Sequence, residues 1–387
     1  MISQTRPHAK TKAYEVGVYY FPGYHDEPLV SRWHGLKWSE WKLLAAAKPR
    51  FHGHQQPKVP LWGELDEALP AVMKKKTDVA ATYGINHFIF DWYYYASGPF
   101  LNRPLDEGYL GMRSAPKVKF ALMWANHDWL NIQPARLDGN NPVMLSGAVN
   151  RRQFDVIADH LIERYFSSPH YWLVEGKPYF SFYDLPLLLQ GLGGVRETAR
   201  ALESFRRKAE RAGLKGLHLN LVHWQNKIVG SDGDVSDPVK TIQSLGFDSL
   251  ASYVWIHHFP EKLHTFPATT FRKVRDVNVK YWQETSRKFS IPYFPNVSMG
   301  WDASPRCIQT DAFENRAYPF MSTIRDNTPA NFRRALELAK RHVDSHALPT
   351  PHLSINSWNE WTEGSYLEPD QVNKYAYLEA VRDVFGS

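Results

Sequence analysis

The sequence predicts an α/β fold, a single (β/α)8 TIM-type barrel with long βα loops, and three observations carry that prediction. Short β-rich runs alternate with helical patterns, the runs number eight, and the longest irregular segments come after strands rather than before them. No GxGxxG or GxxxxGK[ST] follows any run, which removes the main support for the competing doubly wound open sheet with a phosphate-cradling loop.

Taken in order, the predicted strands are 14–21 (YEVGVYYF), 86–91 (NHFIFD), 118–124 (VKFALMW), 178–183 (PYFSFY), 217–222 (LHLNLV), 247–253 (FDSLASY), 292–297 (PYFPNV) and 352–357 (HLSINS). Apolar positions at helical spacing mark helices at 66–83, 151–166, 194–212, 238–245, 271–288, 329–346 and 373–385, with Gly84 and Gly213 as C-terminal stops. Residues 92–117 show no clear helix. Irregular segments at 22–65, 92–116, 125–149, 223–237, 254–270 and 298–328 would then meet at the C-terminal face of the barrel. Residues 1–13 read as an N-terminal arm and 14–387 as one barrel domain.

Composition narrows the function. The 387 residues carry a net charge of +6, spread along the chain, and the densest runs, Lys74–Lys76 and Arg206–Lys208, lie on helical patterns and read as solvated faces. Nucleic acid is therefore not an expected partner. No apolar run of membrane-spanning length and no signal-peptide core occurs, so the expectation is a cytoplasmic protein without a membrane span. A single cysteine, Cys307, excludes an internal disulfide framework and reads as an ordinary buried or loop thiol. No cofactor motif is present. Asp232-Gly-Asp234 with Asp237 is the nearest thing to a Ca²⁺ loop, and it lacks the glycine and distal glutamate such a loop needs, so no metal is expected. His52/His54 and His257/His258 lack the further ligands a metal site requires.

The aromatic content is high, with 14 Trp, 20 Tyr and 21 Phe. Tyr and Trp combine an apolar face with a polar handle, a mixture that suits sugar rings. Such residues gather at the predicted strand ends: Tyr19, Tyr20, Tyr24 and His25; Asp91 and Trp92; Trp124, Asn126, His127 and Asp128; Tyr183; His223 and Trp224; Tyr253 and Trp255; Asn296; Trp301 and Asp302. Packing explains any one of them. It does not explain convergence on one rim, and all are candidate substrate-binding residues.

The segment 354–370, SINSWNEWTEGSYLEPD, sets Glu360, Glu363 and Glu368 directly after the last strand, among Asn356, Trp358, Trp361 and Tyr366. On one helical turn, Glu360 and Glu363 would face the same side with Cβ atoms about 5–6 Å apart. Retaining glycosidases hold two carboxyls about 5–5.5 Å apart and inverting ones about 6.5–9.5 Å. Apolar neighbours such as Trp358 and Trp361 would raise the pKa of one of the pair, giving one acid and one base. A capping or salt-bridging pair on a surface turn satisfies the same spacing.

NSWNEWTEGSYLEPD (356–370) with the following KYAYLEAVRDVF resembles the C-terminal signature of WbsX-type proteins, a group similar to glycoside hydrolase family 99. YYFPGYH (19–25), KWSEW (37–41), AKPRFHGHQQPKVPL (47–61), YGINHFIFDWYYY (83–95), WAN (124–126) and GWDASPR (300–306) extend the likeness over essentially the whole chain. The resemblance implies a (β/α)8 barrel acting on α-linked glycans with retention, through a 1,2-anhydro sugar. Glu360 would then be the base that draws the proton from the sugar 2-hydroxyl, and Glu363 the acid/base at the leaving oxygen. The family usually continues WAN with Glu-Asn-Trp, where this chain has His127-Asp128-Trp129, a change at an expected sugar subsite. Because WbsX-type proteins were first named as glycosyltransferases of O-antigen clusters, a transferase is the alternative, and a non-catalytic carbohydrate-binding barrel a further one.

Overall fold

A computed structural model describes residues 13–224, 235 and 237–386. Eight parallel strands form the barrel: β1 (Glu15–Tyr20), β2 (His87–Tyr95), β3 (Lys119–Trp124), β4 (Lys177–Phe182), β5 (His218–Val222), β6 (Ser249–Ala251), β7 (Tyr293–Phe294 and Asn296–Ser298) and β8 (His352–Asn356). Each pairs with the next in parallel, and β1 pairs with β8. Pro295, which has no N–H, splits β7. Its first half pairs with β6 and its second with β8, and the Pro295 carbonyl accepts from Ser354 N at 3.0 Å, which carries the closure across the break. All eight predicted strands are present.

The helices that follow are α1 (Pro28–His34), α2 (Trp41–Ala46), α3 (Pro70–Thr82), α4 (Arg151–Leu161), α5 (Leu185–Leu192), α6 (Val195–Arg211), α7 (Pro238–Leu245), α8 (Phe271–Lys288), α9 (Pro329–Ser345) and α10 (Ala376–Phe385). The predicted helix at 66–83 begins only at Pro70, whose fixed φ and missing N–H suit the first helical position. The one predicted at 373–385 begins at Ala376, because the Asp370 carboxylate holds Val372 N and Asn373 N in a preceding turn. Helices α1, α2 and α5 lie outside the predicted patterns. The β2–β3 crossover is a six-residue π-type turn, Pro104–Tyr109, since β2 runs on to Tyr95 and folds back as a hairpin through Gly98–Phe100.

The barrel strands are buried on both faces, so alternation separates the barrel interior from the helix layer. Tyr19 meets Tyr253 inside, while Tyr20 turns outward to Met73 and Lys76 of α3. Lys76 corrects the reading of its run as a solvated face: it is fully buried, paired with Glu67 and, at 2.6 Å, with Glu368. Cys307 is buried. Among the described residues no helix is long and apolar enough to cross a membrane.

Candidate active site

After β8 the chain makes a small hairpin, Asn359–Glu360 pairing antiparallel with Ser365–Tyr366, and its tip is a 3₁₀ turn at Trp361–Glu363. Glu360 ends the incoming strand as the N-cap of this turn and Glu363 closes it, and both side chains face one cavity. Gly364 ends the turn at φ 63°, where a Cβ would lie 2.7 Å from Asp302 Cβ. That close approach lets Asp302 N donate to Glu363 O at 2.6 Å. From behind, Asn359 donates to Glu67 and Trp361 Nε1 to Glu368, tying the hairpin to the buried Lys76.

Both carboxylates meet one guanidinium. Arg306 Nη2 lies 3.3 Å from Glu360 Oε2 and 3.7 Å from Glu40 Oε2, and its Nε lies 3.8 Å from Glu363 Oε1. Tyr318 OH donates to Glu363 Oε1 at 2.7 Å, and Tyr253 OH lies 3.2 Å from Glu360 Oε1 and 2.8 Å from Asp91 Oδ2. Burial raises the pKa of both glutamates. In Glu360 the charge of Glu363 adds to it and Arg306 opposes, whereas in Glu363 Arg306 and the Tyr318 bond oppose burial. Two such carboxyls titrate as a unit.

Glu360 and Glu363 line one cavity, about 630 Å³ with its open mouth included. Asp91, His127, Asp128, Tyr183, Tyr253 and Trp301 line it with them. The other candidate residues go elsewhere, several for reasons of alternation. Trp92 and Trp124 point outward, against Tyr165 and Phe154. Tyr20 is in the helix layer, as is Trp255, which packs on Phe271 and Trp282. Tyr19, Asn296 and Asn356 are sealed in the barrel. Tyr24 OH accepts from Thr362 N behind the turn, and Asn126 joins the ends of β3 and β4 by bonding Tyr183 N and Asp184 N and O. His25 faces Glu27 beside a smaller cavity, and His223 bonds Tyr281. Trp224 supports the site from one layer out, stacked on Tyr183. Asp302 sits behind the turn, bound by His54 and Gln56.

Trp358 and Tyr366 are likewise structural: Trp358 packs on Phe88 and Tyr366 stacks on Trp361 at 3.8 Å. Neither Trp358 nor Trp361 lines the cavity, so desolvation of the glutamates comes from other walls, Phe21, Tyr253 and Tyr318 among them. Tyr93, Trp129, Gln133, His257, Arg306 and Tyr318 line the cavity without having been singled out as substrate contacts. Tyr93 was within reach, since it shares a strand face with Asp91. Arg306 closes the GWDASPR run, and nothing in the sequence marks Tyr318. Among the described residues no group could hold a metal ion; Asp237 caps α7, and Asp232 and Asp234 lie outside the described residues.

The chain is thus a closed (β/α)8 barrel with a carboxyl pair on the loop after its last strand. The family model described as Glycosyltransferase WbsX matches residues 16–381, and the chain belongs to this WbsX family. Proteins of two Xanthomonas campestris pv. campestris strains, B100 and ATCC 33913, both described as "Uncharacterized protein WxcX", are 29% identical over 94% of this chain and 48% of theirs. The chain thus spans about half the length of the curated relatives it matches. Among solved structures, the GH99 endo-α-mannosidase from Bacteroides thetaiotaomicron superimposes with a TM-score of 0.57 at 14% identity, covering 96% of each chain. A "Glycoside hydrolase-like protein" gives 0.59 at 14%, covering 100% and 98%, and a β-glucosidase from Thermotoga maritima gives 0.50 at 12%, covering 96% and 98%. These likenesses establish the fold.

Proposed function

We propose that the chain is a glycoside hydrolase that cleaves an α-linked glycan with retention. The observation that carries this reading is the placement of Glu360 and Glu363 on one turn, bridged by Arg306, on the wall of one aromatic cavity. The name of the B. thetaiotaomicron structure, an endo-α-mannosidase, supports the α-linkage. In the first step Glu360 takes the proton of the sugar 2-hydroxyl, O2 attacks C1, and Glu363 protonates the departing glycosidic oxygen. The C1–O bond to the leaving group breaks as the 1,2-anhydro ring forms. In the second step Glu363 takes a proton from water, which adds at C1, and Glu360 returns its proton to O2. Two inversions at C1 give retention.

Glu360→Gln and Glu363→Gln should each lower turnover by about 10²- to 10⁴-fold, the usual worth of general acid–base help. The assay is sugar release from a panel of defined α-linked oligosaccharides, with NMR of the first-formed anomer. Near wild-type turnover in both variants, or release of the inverted anomer, rejects the mechanism.

The family's name favours a second reading, a glycosyltransferase of polysaccharide biosynthesis. Against it, the cavity lining has no lysine, and its single arginine is already paired with Glu40, Glu360 and Glu363, which leaves little to hold a nucleotide diphosphate. Saturable binding of a nucleotide sugar by calorimetry would favour the transferase, and oligosaccharide binding without release of reducing ends would favour a non-catalytic barrel.

A further inference from the structure

The proposed base raises a difficulty that the geometry around it resolves. Glu360 must be ionised to accept a proton, yet it is buried beside Glu363, and both Glu363 and Asp91 raise its pKa further. Asp91, at the interior face of β2, is 2% exposed and lines the same cavity. Its Oδ2 lies 2.8 Å from Tyr253 OH, and the same hydroxyl lies 3.2 Å from Glu360 Oε1. A phenol has one hydrogen and donates one bond. With Tyr253 held neutral by burial, both contacts are hydrogen bonds only if one of the two carboxyls carries a proton and donates it to the phenol oxygen. The counter-ions decide which one. Glu360 has Arg306 at 3.3 Å, whereas Asp91 has no ion-pair partner among the described residues. Tyr253 and Glu363 act on Asp91, which in turn acts on Glu360, Tyr19, Tyr93 and Tyr183, while Arg306, His127 and His257 line the same cavity without an ion pair or hydrogen bond to it among the described residues.

We propose that Asp91 is a third carboxyl of the centre, a positioning residue that carries the shared proton, donates it to Tyr253, and through the Tyr253 hydrogen keeps Glu360 ionised as the base. The protons balance without a further step: Asp91 keeps its proton throughout, Tyr253 donates its own to Glu360, and only Glu360 exchanges a proton with O2. Among the described residues Asp91 Oδ1 has no hydrogen-bond partner.

This inference rests on the hydrolase reading for its kinetic consequence but not for its protonation state, and the two are tested separately. In substrate-free protein labelled with ¹³C at the aspartate carboxyl, the resonance missing from Asp91→Asn should be that of a protonated acid at neutral pH. An Asp91 that titrates at the ordinary aspartate value of about 3.9 overturns the proposal whatever the enzyme does. In the kinetic arm, Asp91→Leu should lower kcat/KM by about 10²-fold, and Asp91→Asn, an uncharged donor of the same shape, should recover part of that loss with the acid limb of the pH profile in place. In a Tyr253→Phe background, Asn and Leu at position 91 should become equivalent. A shift of the acid limb to lower pH in Asp91→Asn would show that a negative charge had been removed, and a fully active Asp91→Leu would show a bystander; either result overturns the proposal. If no glycan is turned over by the wild type, the hydrolase reading fails and the carboxyl titration still decides this one.

Discussion

Arg306 is the residue on which the charge balance of the centre turns. It is 4% exposed, stands over the Phe21 ring at 5.3 Å, and touches Glu40, Glu360 and Glu363. Removing one partner of a buried charged group leaves the others uncompensated, which costs more than the pair contributes. Arg306→Met should therefore lower unfolding free energy by about 3–5 kcal/mol, measured by urea titration. It should also leave the remaining carboxyls more protonated, so that any residual activity appears only at higher pH. A variant of wild-type stability would mean that Arg306 does not compensate buried carboxylate charge.

At the scale of the element, the hairpin from Asn359 to Tyr366 converts a sequence spacing into two carboxyls on the wall of one cavity. Its tip depends on Gly364, where positive φ and the 2.7 Å approach to Asp302 Cβ leave no room for a side chain. Gly364→Ala should cost about 1–3 kcal/mol of stability, the range for a strained backbone site, and displace Glu363 from Tyr318 and Arg306. Activity should then fall further than stability explains. The hairpin's other anchor is the buried Lys76. Lys76→Met leaves Glu67 and Glu368 without a cation and should cost about 3–5 kcal/mol, although it lies outside the cavity. A neutral result in thermal or urea denaturation would remove Lys76 as the anchor of the turn.

For the whole molecule, pH dependence follows from opposing sets of buried groups. Burial lowers His218 and His223 to about 4, and His257, His342 and His352 to about 3, and it also holds His87 and His258 well below the usual histidine value. The unfolded chain binds protons at these positions below about 6.5 and the folded chain does not, so stability falls as pH drops from there toward about 4. Glu67 works in the opposite sense. Burial raises it to about 7, so the fold keeps a proton that the unfolded chain releases above its ordinary value of 4.5, and its favourable contribution at low pH is lost as pH rises to about 7. Asp91, Glu360 and Glu363 share that direction. The histidines outnumber these carboxyls, so the urea midpoint should fall between pH 7 and pH 5; a rising midpoint would mean that the carboxyls dominate.

The strands, most helices and the proximity of Glu360 to Glu363 were legible in the sequence because they depend on local periodicity and on three-residue spacing. The set of residues facing the cavity was legible only in part. Reading strand ends as clusters joined Tyr19 to Tyr20 and Asp91 to Trp92, but a two-residue period sends the members of each pair to opposite sides of the sheet. Arg306 and Tyr318 reach Glu363 from 57 and 45 positions away, and Tyr253 joins Asp91 to Glu360 across the barrel mouth. Local sequence determined which elements form and where the two glutamates sit along the chain. Barrel closure alone decided which distant groups surround them, because charge compensation and desolvation depend on separation in space.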